Sequence, residues 1–133
     1  MFKIVFDTNV LVSSIFWENG APHEVVAKAQ EQKVQNHTSL ELLRELEDIL
    51  LHKFKQPEDI VKRQLDLVRA FSFIIEPMTR IFAVKDDPDD NMVLECAVSC
   101  NADYIISGDS HLLSLKEYKG IKVLSSREFL EII

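Results

Sequence analysis

Residues 86–109 read DDPDDNMVLECAVSCNADYIISGD, and the architecture follows from this stretch. A polar loop containing Pro88 gives way to residues 91–100, which have helical spacing. A short apolar run over 104–107 then reads as a buried strand that stops abruptly at Gly108-Asp109. A helix leading directly into a buried strand is the repeating unit of a parallel sheet covered by helices.

The same alternation runs through the rest of the chain. Residues 2–6 (FKIVF) form an apolar, β-rich run ending at Asp7-Thr8-Asn9, and residues 10–16 and 22–32 have helical spacing on either side of the turn signal Glu18-Asn19-Gly20. Residues 34–38 read as a second strand. Ser39 is then a good N-cap for a helix over 40–53, which the Gln56-Pro57 break closes before another helix over 57–70. Residues 71–75 (FSFII) and 81–84 (IFAV) are strand-like, the second short enough to be an extended loop. A short helix over 110–115, a strand over 122–124 and a helix over 125–132 capped by Ser125 or Ser126 complete the chain. The expected fold is α/β, a three-layer α/β/α sandwich around a central, mainly parallel sheet, with residues 1–133 forming a single domain.

Composition narrows the function. Of 133 residues, 47% are hydrophobic and 28% charged, with only three Gly and four Pro, which excludes disordered and fibrous classes. Against 15 Lys and Arg stand 22 Asp and Glu, a net charge of −7 that argues against sequence-blind coating of nucleic acid or of anionic membranes. Lys53, Lys55, Lys62 and Arg63 are the one local basic cluster. Cys96 and Cys100 sit four apart on a helix and read as small buried hydrophobes of a reducing compartment. No apolar run approaches the roughly 18 residues of a membrane span, and the first six residues lack the features of a signal peptide. A soluble, cytoplasmic protein is expected.

In parallel sheets, ligands bind where the C-terminal ends of the strands meet the loops, and carboxylates stand there. Asp7 directly follows the first strand, and Asp109 follows the strand over 104–107 after one Gly. Either residue alone could be an ordinary helix cap. Asp87, Pro88 and Asp90 fit the N-cap, N1 and N3 positions of the next helix, a local reason for an acid at 90. On the helical wheel, however, Asp90 points the same way as Val93, Leu94, Ala97 and Val98, toward the body of the protein. In the helix over 40–53, Glu45 and Glu47 lie at the two borders of the stripe formed by Leu42, Leu43, Leu46, Ile49 and Leu50, and spacing does not choose between them. Carboxylates gathered at one sheet edge repel one another unless a cation neutralises them. With oxygen ligands and neither Cys nor a His cluster to join them, Mg²⁺ or Mn²⁺ is indicated over Zn²⁺, and such sites serve phosphodiester hydrolysis.

These segments resemble the PIN domain family, and within it the VapC-like toxins of prokaryotic toxin–antitoxin systems. The resemblance covers nearly the whole chain. It rests on FDTNVLVS at 6–13, on Glu45 within SLELLRELEDILLHKF at 39–54, and on Asp90 and Asp109 within residues 86–109. It implies that Asp7, Glu45, Asp90 and Asp109 hold one or two Mg²⁺ or Mn²⁺ ions and are the catalytic residues of a ribonuclease acting on single-stranded RNA, and it selects Glu45 over Glu47. Thr8, Asn9 and Ser107 match polar positions that fix these carboxylates, while Asp87 reads as the helix cap. Ser107-Gly108-Asp109 departs from the commoner Thr-Gly-Asp but keeps the hydroxyl. A cognate antitoxin protein is implied as a partner and a homodimer is possible. Phe16, Trp17 and Phe54 are available for a dimer or antitoxin groove, although large apolar residues near helix ends more often belong to the core.

Three other readings compete. A phosphoacceptor receiver needs an acidic pair after its first strand and a Lys ending a late one, whereas here the late strand ends in Asp109. A haloacid-dehalogenase-type phosphatase wants Asp-x-Asp where this chain has Asp7-x-Asn9. The remaining alternative is a catalytically silent PIN-fold module that binds RNA or protein.

Overall fold

The computed structural model describes residues 1–84 and 88–133. The elements are β1 (Lys3–Phe6), α1 (Thr8–Phe16), α2 (Ala21–Gln30), β2 (Gln35–Thr38), α3 (Leu40–Asp48), α4 (Glu58–Ala70), β3 (Ser72–Ile74), α5 (Pro88–Ser99), β4 (Tyr104–Ile106), α6 (Ser110–Leu115), β5 (Glu117–Tyr118), β6 (Ile121–Leu124) and α7 (Ser126–Ile132). The expected cap Asp87 lies outside the described residues, as does most of the polar loop before α5.

The strands form one sheet in the order β3-β2-β1-β4-β6-β5, and every pairing is parallel except β5 with β6. β1 is central because its residues are apolar on both sides. Ile4 and Phe6 face one layer together with Ile106, while Val5 and Ile105 face the other. The first layer takes the apolar stripes of α1, α2, α3, α4 and α7; the second is built by α5 and α6. The α/β/α sandwich expected from the alternation is therefore the observed fold.

Three local departures have physical causes. Residues 81–84 form no strand. Instead, the Glu95 carboxylate accepts the Ile81 N–H at 2.8 Å, and the Asn91 side chain accepts the Val84 N–H at 2.9 Å and donates to the Val84 carbonyl at 2.6 Å. Side chains of α5 thus satisfy backbone groups that a neighbouring strand would otherwise bond. The two-residue strand β5 was not expected. It turns into β6 through Lys119 and Gly120, both at positive φ (49° and 83°), the conformation of a tight hairpin. Finally, the helix over 40–53 ends in a wider turn over Ile49–Lys53, where the Phe54 N–H reaches the Ile49 carbonyl at 3.1 Å.

The cysteines behave as small hydrophobes. Both are free, with Cys96 buried and Cys100 partly so, and burial pushes both thiols above their ordinary range. Phe16 and Phe54 stack at 4.5 Å and pack against the core, whereas neighbouring Trp17 is exposed.

Candidate acidic site at the strand ends

The register of β1 and β4 creates the site. Phe6 pairs with Ile106, the Asp7 N–H donates to the Ile106 carbonyl at 2.9 Å, and the next residue of each chain segment therefore emerges at the same sheet edge. Asp7 occupies the N-cap position of α1, yet its carboxylate makes no capping hydrogen bond. It instead accepts the Ser107 hydroxyl at 2.7 Å and is buried. The same Ser107 oxygen accepts the Asp109 N–H at 2.9 Å, so one hydroxyl ties the two strand-end acids together. Asp109 does cap its helix, accepting the Leu112 N–H at 3.3 Å. Asn9 accepts the Gly108 N–H at 3.4 Å, which holds the loop after β4 against the start of α1.

From the second layer, α5 brings Asp90 to the same edge. Asp90 is buried, and one of its oxygens lies within 4.8 Å of ligand atoms of Asp109 and of His111, an arrangement able to hold a metal ion. His111 was not singled out in the sequence. Its position in the first turn of α6, two residues after Asp109, is the signal that would have found it.

From the first layer, α3 contributes Glu45. Of the two border acids left open by the helical wheel, Glu47 faces away and lines a groove with Lys62 and Arg69, whereas Glu45 faces the strand ends. Its carboxyl is pushed up to about 8, first by burial and then by the neighbouring acids Asp89 and Asp7, against the opposing effect of the buried Thr8 hydroxyl beside it. Asp89, which the sequence did not single out, is therefore part of the same electrostatic cluster.

Among the described residues, Asp90 and Asp109 thus come together with His111, Asp7 is tied to Asp109 through Ser107, and Glu45 lies beside Asp7, Asp89 and Thr8. A set of carboxylate oxygens with one imidazole suits a hard or borderline divalent cation such as Mg²⁺ or Mn²⁺. The raised Glu45 carboxyl is itself a sign of negative charge crowded into a poorly solvated space, which a cation would relieve.

Three comparisons bear on most or nearly all of the chain. An uncharacterized protein of Methanocaldococcus jannaschii is 33% identical over 141 residues, covering 97% of this chain and 90% of the relative. The crystal structure of VapBC2 from Rickettsia felis, bound to a DNA fragment from their promoter, contains a chain that superposes with a TM-score of 0.64. That match is 14% identical and covers 91% of this chain and 96% of the other. The PIN domain family matches residues 3–111, a span that runs from the first strand through Asp109 to His111. With strands β1 to β4 and the acidic edge contained in that span, the chain belongs to the PIN domain family.

Proposed function

We propose that this protein is a Mg²⁺- or Mn²⁺-dependent endoribonuclease that hydrolyses phosphodiester bonds of single-stranded RNA, acting as the toxin of a toxin–antitoxin pair in the cytoplasm. The observation that carries the reading is one sheet edge at which Asp90, Asp109 and His111 come within reach of a single ion and Ser107 ties Asp7 to Asp109. Residues 1–133 act as one domain in this account. The VapBC2 likeness supports an antitoxin as partner, for which exposed Trp17 beside Phe16 and Phe54 offers an apolar contact.

Asp7, Glu45, Asp90 and Asp109 would hold the ion or ions, with His111 able to join Asp90 and Asp109. A divalent cation bound there supplies charge stabilisation for the phosphodiester and lowers the pKa of water. The protein's own part is positional. Ser107 fixes Asp7 through its hydroxyl and Asp109 through that residue's backbone N–H, so the spacing of these acids is set before substrate arrives. The buried Thr8 hydroxyl beside Glu45 opposes in part the burial that raises its carboxyl.

The test is cleavage of unstructured and structured RNAs with Mg²⁺, with Mn²⁺ and with chelator, using Asp7→Asn as the control. Metal-dependent cleavage of unstructured RNA that disappears in the variant is expected. No metal-dependent product at any salt concentration would overturn the enzyme in favour of a binding module.

A further inference from the structure

Two cavities flank the acids, one from each helical layer. The first, about 360 Å³, lies where α1 and the start of α2 meet α7, and is lined by Asn9, Ser13, Gly108, Ser125 and Arg127. The second, about 460 Å³, lies beside α5, and Arg80, Phe82, Asp89 and Asn91 are among its walls. Asn9, in the first turn of α1 after Asp7, and Gly108, beside Asp109, line the first cavity, while Asp89 lines the second and belongs to the cluster around Glu45. Each cavity thus shares a wall with residues adjacent in sequence to the acids.

The two ends differ chemically. In the first cavity Arg127 is exposed, and among the described residues it takes part in no ion pair. The acid next to it, Glu128, is turned back to accept the Ser125 N–H at 2.9 Å and does not neutralise it. Asn9 accepts the Gly108 N–H through its oxygen, so its NH₂ group is oriented as a donor. A cation among hydroxyls and an amide donor is a phosphate environment.

In the second cavity the cation is already neutralised. Arg80 meets Glu41 at 3.1 Å and the buried Glu95 at 3.4 Å. What this end presents instead is the Phe82 ring, 81% exposed. It is held out by its neighbours: Ile81 and Val84 are buried, and α5 side chains bond their backbone N–H groups. An aromatic ring exposed from a tethered segment at the lip of a cleft is a platform for a nucleobase.

Resting on the ribonuclease reading above, we propose that the two cavities are the ends of one single-stranded RNA track, in which Arg127 anchors a backbone phosphate on the α7 side and Phe82 stacks a base on the α5 side, so that the intervening phosphodiester lies over the acids. Both are positioning residues. Arg127 supplies the local positive charge that the chain's net charge of −7 withholds.

The test is steady-state cleavage of a single-stranded oligoribonucleotide in Mn²⁺ across a salt series. Both side chains are exposed, so the variants should fold, and their melting temperatures check this. Arg127→Gln should raise KM about 10-fold with kcat nearly unchanged and lower the log–log salt slope by about 0.7, while Arg127→Lys should restore that slope. Phe82→Leu should raise KM about 10-fold without altering the slope, and Phe82→Trp should restore KM. A wild-type KM and salt slope in either loss variant, or equal KM values for duplex and single strand, would overturn the track while leaving the ribonuclease reading standing. Wild-type protein that cleaves no RNA would overturn both.

Discussion

Glu45→Gln isolates the electrostatics of the acidic cluster. In the metal-free protein the Glu45 carboxyl is raised from 4.5 to about 8. The folded state therefore holds a proton that the unfolded chain has released between those two values, and stability must fall as pH rises through that window. Taken at full strength, the difference corresponds to about 5 kcal/mol above pH 8. Glu45 is only partly buried, and solvent screening reduces this to about 2 kcal/mol. Gln has nearly the same shape and never ionises. In chelator, wild type and variant should melt together at pH 5, and the variant should melt about 8 °C higher at pH 9 for a chain of this size. Saturating Mn²⁺ at pH 8 should then raise the wild-type melting temperature more than that of the variant, because bound cation favours the ionised carboxylate. Melting curves from pH 5 to 9 measure this directly. A gap that stays constant with pH, or a variant that falls below the wild type as pH rises, would refute the reasoning.

Three further outcomes follow from contacts around the site. Ser107→Ala removes the hydroxyl shared by Asp7 and the Asp109 N–H, so Mn²⁺ affinity measured by calorimetry should drop about 10- to 100-fold while the protein remains folded. His111→Ala should narrow the ratio of Mn²⁺- to Mg²⁺-supported cleavage rates, because an imidazole beside Asp90 and Asp109 favours the softer ion; an unchanged ratio removes His111 from the site. Asn91→Ala leaves the Val84 N–H and carbonyl without their side-chain partner, and urea unfolding should show a loss of about 2 kcal/mol.

The layered fold was legible because its signals are local. An apolar run such as residues 2–6 reads as a central strand whatever lies elsewhere, and strands separated by helices imply parallel pairing. What escaped were features set by tertiary contacts. IFAV at 81–84 has strand composition, but Glu95 and Asn91 of α5 occupy its backbone groups, and their side chains give no periodic signal. β5 is two residues long, below the length at which alternation can be seen. Within the site, Asp7 and Asp109 were visible because each ends a strand. The wheel of α3 left Glu45 and Glu47 open, since both border the apolar stripe; in the fold only Glu45 faces the other acids, and Glu47 lines the groove toward α4. His111 and Asp89 were not singled out because no periodic or strand-end signal marks either; their place in the site is set by the tertiary contacts of α5 and α6.

The central claim is that cation binding by these acids and RNA hydrolysis are one property of one site. The most direct measurement titrates Mn²⁺ into wild-type protein and Asp7→Asn while following thermal stabilisation and single-turnover cleavage of a single-stranded RNA in parallel. The account predicts that both signals saturate over the same Mn²⁺ range in the wild type and that the variant stays folded but loses cleavage by about three orders of magnitude. Cleavage that persists in Asp7→Asn, or stabilisation by Mn²⁺ with no accompanying cleavage in the wild type, would contradict it.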